Sequence, residues 1–248
     1  MSITSPEIEL SPRTTTGCNR LLESMSPADY ALLQPHLKLV TLHRDQILFE
    51  AGDEVTHTHF PCEGAVTAIM ILNEDGKYIE AATIGREGAI GGIVSHGHRP
   101  AYGRGVVQVP GHALRIATER LEDAKRQSPL MADLFARYAD YLLAQVMQFS
   151  ACNAFHNVEQ RLCRILVMAQ DRTGEEMLDF TQQSLADSLG VQRTSVTAVV
   201  KALEDKGLIR GSRGRIQVLD RGGLEEGACG CYAAIDEHFQ RLLPKVAV

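Results

Sequence analysis

Apolar positions along this chain change their period twice. From Lys38 to Ile116 they fall in short β-rich runs, broken at Ala51-Gly52-Asp53, Cys62-Glu63-Gly64, Glu74-Asp75-Gly76 and Gly85-Arg86-Glu87-Gly88. Turn signals about every eight to twelve residues predict an antiparallel sandwich or barrel. Asp75-Gly76 between two apolar runs is the strongest hairpin signal. Beyond Glu119 glycines stop and "MADLFARYADYLLAQVMQFSACNAF" takes a helical period, with Phe135, Tyr138, Leu142, Phe149 and Cys152 on one stripe. That stripe either packs on its own domain or forms a homodimer seam, and the seam is the expectation here. A third texture runs from 156 to 221: a helix, then helix-turn-helix, then two short strands. The last stretch places Tyr232, Ile235, Phe239, Leu242 and Leu243 at helical spacing, an amphipathic helix covering the second domain or an interface.

The resulting fold class is α+β. An N-terminal antiparallel β-domain spans 19–128, after a Ser/Thr/Pro-rich flexible tail at 1–18. A dimerisation helix follows at 129–155, then a winged helix-turn-helix at 156–221 and the C-terminal helix at 222–248. Near the start, Ser26-Pro27 reads as a helix cap with Pro in the first turn.

"QQSLADSLGVQRTSVTAVVK", Gln182 to Lys201, carries the chemistry. Leu185, Ala186 and Leu189 supply the inner face of a first helix, and Ala186 is small enough to let its partner approach. Gly190 supplies the tight corner. Val191, Val196, Val199 and Val200 supply the buried face of a second helix. Gln192, Arg193, Thr194, Ser195 and Thr197 then face outward, with Lys201 behind them. Such groups reach base edges and phosphates in a major groove. Thr181 is a candidate N-cap and phosphate contact. Downstream, Ser212, Arg213 and Arg215 sit in a β-wing at 210–217.

Charge supports this placement. The whole chain carries −6, yet Arg193 to Arg221 holds seven bases and three acids, a local +4 that leaves −10 elsewhere. Asymmetry of this kind marks a polyanion-binding surface on an acidic protein. No apolar run of membrane-spanning length and no leader-like start appear, which points to a cytoplasmic protein without membrane contact. There is no phosphate loop, H-E-x-x-H or Ser-His-Asp spacing, so an enzyme is not expected. The competing reading is a dimeric sensor or scaffold whose winged helix binds proteins.

The order β-domain, long helix, winged helix resembles the Crp/Fnr family of bacterial transcription regulators. The likeness runs from Asn19 and is carried chiefly by "TQQSLADSLGVQRTSVTAVVKALEDKGLI" and "FEAGDEVTHTHFPCEGAVTAIMILNEDGKYIEAATIGREGAIGG". It implies that 19–128 is a β-roll of the cupin-like, cyclic-nucleotide-binding-like kind. It also implies a homodimer on a palindromic operator of double-stranded DNA, contact with RNA polymerase, and base reading by Arg193. Thr194 stands where a glutamate often reads cytosine, and Ala198 where an arginine often follows. The effector pocket by this likeness involves Gly91, Gly92, Arg99, Ala101 and Tyr102. Gly92 replaces the ribose-binding glutamate and Ala101-Tyr102 the phosphate-binding Arg-Ser, so cAMP is not the expected effector and the ligand is unassigned.

Six cysteines, at 18, 62, 152, 163, 229 and 231, include no C-x-x-C and read as free thiols. Iron–sulfur relatives cluster three near the N-terminus; only Cys18 lies there, so no cluster is expected. Cys229-x-Cys231 offers too few ligands alone, and Cys152 could act as a redox switch. The pairs His57/His59 and His96/His98 read as structural polar residues. No metal site is assigned.

Overall fold

The computed structural model describes residues 17–62, 64–94 and 97–243. Of the residues singled out above, the 1–16 part of the tail, Glu63, His96 and the 244–248 part of the C-terminal helix lie outside them. The N-terminal unit opens with α1 (Arg20–Glu23) and α2 (Pro27–Leu33). Ser26 caps α2 by accepting from the Asp29 amide, with Pro27 in the first turn. Seven strands follow: β1 (Lys38–Leu42), β2 (Ile47–Phe49), β3 (His57–Pro61), β4 (Val66–Leu72), β5 (Tyr78–Ile84), β6 (Arg104–Val109) and β7 (Gly111–Ala117). They form two antiparallel sheets of order β1-β7-β3 and β2-β6-β4-β5. The β4–β5 hairpin pairs Leu72 with Tyr78 around the Asp75-Gly76 turn.

Helix α3 (Thr118–Gln127) leads to the 27-residue α4 (Pro129–Phe155), capped by Ser128. Next come α5 (Val158–Thr173), with an Asn157–Gln160 capping box, β8 (Met177–Leu178), α6 (Gln182–Leu189), α7 (Arg193–Asp205), β9 (Ile209–Ser212) and β10 (Arg215–Val218). The wing is thus a three-stranded sheet, β8-β10-β9, since Ile216 also pairs with Leu178. The chain closes with two helices, α8 (Arg221–Gly227) and α9 (Cys231–Leu242), broken at Gly230.

Helix α4 corrects the expected dimer seam. Phe135, Tyr138, Phe149 and Cys152 are buried inside the chain and Leu142 is half-buried. Phe135 meets Phe60 of β3 edge-on at 6.3 Å, and Tyr141 meets Phe239 of α9 at 4.9 Å. Tyr138 donates its hydroxyl to the Ala89 carbonyl and accepts from the Ala89 amide, at 3.0 and 2.9 Å. Gly88 permits this: a Cβ there would lie 2.0 Å from the Tyr138 hydroxyl. The stripe is therefore spent on the β-roll and on α9, whose Tyr232, Ile235, Phe239, Leu242 and Leu243 join the same core. What α4 leaves exposed is a second apolar row, Leu143, Val146 and Met147, with Leu130 and Phe155 near its ends.

A further correction concerns cysteine, and one buried histidine gives the fold a pH dependence. Cys18 and Cys62 form a disulfide with Cα atoms 4.6 Å apart. Asn19 brings them together by donating to the Pro61 and Gly88 carbonyls at 2.9 and 2.8 Å. His59 is fully enclosed on β3, where burial first, then the charges of Arg115 and His57, lower its pKa to about 3. The unfolded chain gains that proton below its ordinary value near 6.5 while the fold refuses it down to about 3. This group therefore costs stability as pH falls through that window, at about 1.4 kcal/mol per unit, or about 2 kcal/mol by pH 5. Urea unfolding at pH 7 and pH 5 should show the loss, reduced in His59→Gln; equal pH dependence in both proteins would refute it.

Candidate nucleic-acid interface

The C-terminal unit is built around one apolar cluster. Leu185, Ala186 and Leu189 of α6 meet Val196, Val200 and Leu203 of α7, with α5 behind them. Each fully buried Leu or Val of this set contributes about 1.5–3 kcal/mol. Val191 and Val199 are partly covered. Gly190 ends α6 in the left-handed region at φ 64°, and its amide bonds to the Ala186 and Asp187 carbonyls. A Cβ there would also press on Ile79 of β5 at 2.9 Å. Turn conformation and close approach both demand glycine.

With that face buried, the helix presents Gln192, Arg193, Thr194, Ser195, Thr197 and Lys201, every one exposed. Gln192 is the N-cap residue of α7 yet makes no side-chain cap bond. The first-turn amides thus keep the positive end of the helix available to a phosphate. Thr197 donates to Gln182 Oε1 at 2.8 Å, tying the two helices across the corner, and Lys201 pairs with Asp205 at 2.6 Å. Thr181 caps α6 in a reciprocal box with Ser184. The wing displays Ser212 and Arg213 at its turn. Arg215 is exposed but paired with Asp179 at 2.8 Å, and Asp179 also takes Arg44 at 2.9 Å.

Several polar residues that dock this unit on the β-roll have no local sequence signal. Gln108 of β6 donates to Ser188 of α6 and to Glu80 of β5, at 3.1 and 2.6 Å. Arg172 of α5 donates from Nε and Nη2 to one oxygen of Glu87, at 3.0 and 2.8 Å, and from Nη2 to the Thr83 carbonyl. Both charges are buried. Burial pushes the Glu87 carboxyl up, but the Arg172 charge and its hydrogen bonds pull harder, and the net shift is downward. The same carboxylate holds Arg172 above its ordinary value against the pull of burial.

The expected effector residues are either exposed or engaged in contacts within the fold. Tyr102 is 90% exposed. Arg99 is spent on Glu122 at 2.5 Å and on the Val55 carbonyl. A side chain at Gly92 would run into Arg99 and Thr118, and one at Gly91 into the His57 backbone. Ala101 is occupied in backbone bonds with Gly52 and Asp53. His57 is held by Thr56 at 3.0 Å, and Arg115 lies close enough to both His57 and His59 to disfavour a cation there. A cavity of about 410 Å³ lies instead among Tyr141, Asp171, Arg172, Tyr232 and Phe239.

A β-roll joined by a long helix to a winged helix-turn-helix with an exposed polar helix edge defines a class: helix-turn-helix DNA-binding proteins that carry an N-terminal β-domain. Residues 160–226 match the Crp-like helix-turn-helix domain family. That unit is a Crp-like helix-turn-helix domain, and the chain as a whole is similar to transcription regulators. It is 25% identical over 202 residues to the transcriptional regulator SdrP of Thermus thermophilus, covering 75% of this chain and 96% of that one. It is 24% identical over 188 residues to the global nitrogen regulator of a Nostoc species, covering 72% and 83%. Its fold matches the structure of FixK2 from Bradyrhizobium japonicum with a TM-score of 0.66, at 14% identity, over 78% of this chain and 98% of that one. Among the described residues, no helix is long and apolar enough to cross a membrane.

Proposed function

We propose that the protein works as a homodimer that binds a twofold-symmetric operator, with α7 in the major groove and the wing on the backbone. The observation that carries this reading is the exposed row Gln192, Arg193, Thr194, Ser195 and Thr197 at the uncapped start of a helix whose opposite face is buried. Arg193 reads a base, and Thr181, Lys201, Ser212 and Arg213 contact phosphates. Arg215 joins them on release from Asp179.

Dimerisation runs along the second face of α4. A helix apolar on both faces is covered on both. The β-roll and α9 cover one, and a second copy covers Leu143, Val146 and Met147. Two subunits so paired would offer recognition helices to half-sites one turn of the duplex, about 34 Å, apart. The β-roll receives an effector signal other than cAMP, and RNA polymerase is the downstream partner. The protein regulates and does not catalyse.

The double variant Leu143→Glu, Met147→Glu tests the seam. Both side chains are exposed in the single chain, so its fold should survive. Sedimentation should show monomers, and retardation of a palindromic operator should be lost. A dimer that persists and binds unchanged would place the seam elsewhere. Wild-type binding should also weaken steeply with salt, as phosphate contacts release counterions.

A further inference from the structure

Four candidate metal ligands, far apart in sequence, meet at the elbow between α4 and α5. Cys152 lies in the last turn of α4 and His156 is its C-cap, while Cys229 and Cys231 come from the link into α9. Their three sulfurs and one imidazole nitrogen all lie within 4.8 Å of one another. Cys152 Sγ is 3.4 Å from Cys229 Sγ, and Cys231 Sγ is 3.6 Å from His156 Nδ1. All three cysteines are buried and His156 is half-buried. Sulfurs bound about 2.3 Å from one tetrahedral ion stand about 3.8 Å apart, so the spread suits a single ion. A four-iron cluster holds its thiolates further from each other.

A second observation concerns charge. Arg161 and Arg164 of α5 are buried, and the Nε of each has no hydrogen-bond partner. Arg161 donates from Nη2 to the Leu189 carbonyl; Arg164 lies 4.1 Å over the Phe149 ring and donates to Met168 Sδ at 3.3 Å. Among the described residues, neither forms an ion pair with a carboxylate. Buried cations require an anion nearby. Both sit close enough to the thiol cluster to interact with it electrostatically.

We infer that Cys152, His156, Cys229 and Cys231 bind one thiophilic divalent cation, zinc by preference. Binding releases three thiol protons. Three thiolates, a neutral imidazole and a divalent ion then carry −1, the anion that the two arginines lack. Gln148 donates to Cys231 Sγ at 3.0 Å and orients that ligand. Sulfur-rich donors select zinc over magnesium or calcium, and four protein ligands leave no open position, so the role is structural. In sequence Cys229-x-Cys231 is two ligands short of a metal site, and the fold supplies both. The ion would clamp the end of α4 and the start of the α4–α5 link to the segment that opens α9, setting the angle at which the helix-turn-helix leaves α4. Only this last consequence rests on the DNA-binding reading.

Elemental analysis of the full-length protein, purified anaerobically with reductant and without chelator, should find one zinc per chain. Cys229→Ser and Cys231→Ser should fall to background. Because a variant can misfold, the wild-type chain stripped of metal is also titrated with cobalt(II). Thiolate-to-cobalt charge-transfer bands and the intense d–d bands of a tetrahedral site should saturate at one equivalent. A folded wild-type chain that holds no metal and stays spectrally silent overturns the proposal. So does a Cys152–Cys229 disulfide in the anaerobic preparation. Metal binding is read without DNA, so a chain that takes up cobalt but retards no duplex would sink the DNA reading and support this one.

Discussion

Glu87→Ala is expected to lower the unfolding free energy by about 3–5 kcal/mol, the cost of leaving one charge of a buried pair without its partner. Arg172 would keep its guanidinium between α5 and the β5 end of the sheet with only the Thr83 carbonyl to accept from it. The pair also fastens the β-roll to α5, so the loss should extend beyond one domain and reduce unfolding cooperativity. The double variant Glu87→Ala, Arg172→Leu should recover part of the loss, because it removes the stranded charge as well. Urea denaturation of the wild type, both single variants and the double variant measures the coupling. Additive losses would show that the two side chains act independently and that the geometry of the pair has been misjudged.

Arg193→Ala is expected to weaken binding to the specific operator by about 1–3 kcal/mol, or about 5- to 150-fold, while leaving the unfolding midpoint unchanged. The asymmetry follows from placement. Arg193 is exposed at the first position of α7 and packs on nothing in the apolar cluster below it. Its loss should also relax the sequence preference, because a base-reading group carries discrimination that phosphate contacts do not. Lys201→Ala should instead weaken specific and nonspecific duplexes alike. Retardation with operator and scrambled DNA separates the two. If Arg193→Ala binds the operator as tightly as the wild type, α7 is not the reading element, and the protein-binding use of the winged helix becomes the better account.

The helix-turn-helix was legible because its constraints are local. Leu185, Ala186, Gly190, Val196 and Val200 lie within one short stretch, and period, a small residue and a left-handed corner together leave few alternatives. The β4–β5 hairpin and the Ser26 cap were legible for the same reason. The third wing strand was not: Met177–Leu178 is too short to show a period and exists only because β10 offers it an edge.

Helix α4 marks the boundary. Its sequence determined that it is long, helical and apolar on more than one face. It could not say which stripe meets the chain's own core, since Phe135–Tyr138–Phe149 and Leu143–Met147 satisfy the same periodicity. The position of the β-roll on one side, and of α9 returning from the C-terminus, decided that. Distance in sequence hid the rest. Arg172 and Glu87 are 85 residues apart, Cys152 and Cys229 are 77 apart, and Cys18 and Cys62 are 44 apart. Local residue order determined the elements and the polar edge that α7 shows to solvent. Which charges neutralise each other, which thiols meet and which apolar face is left exposed depend on how those elements close on one another, because burial and electrostatics act through space and not along the chain.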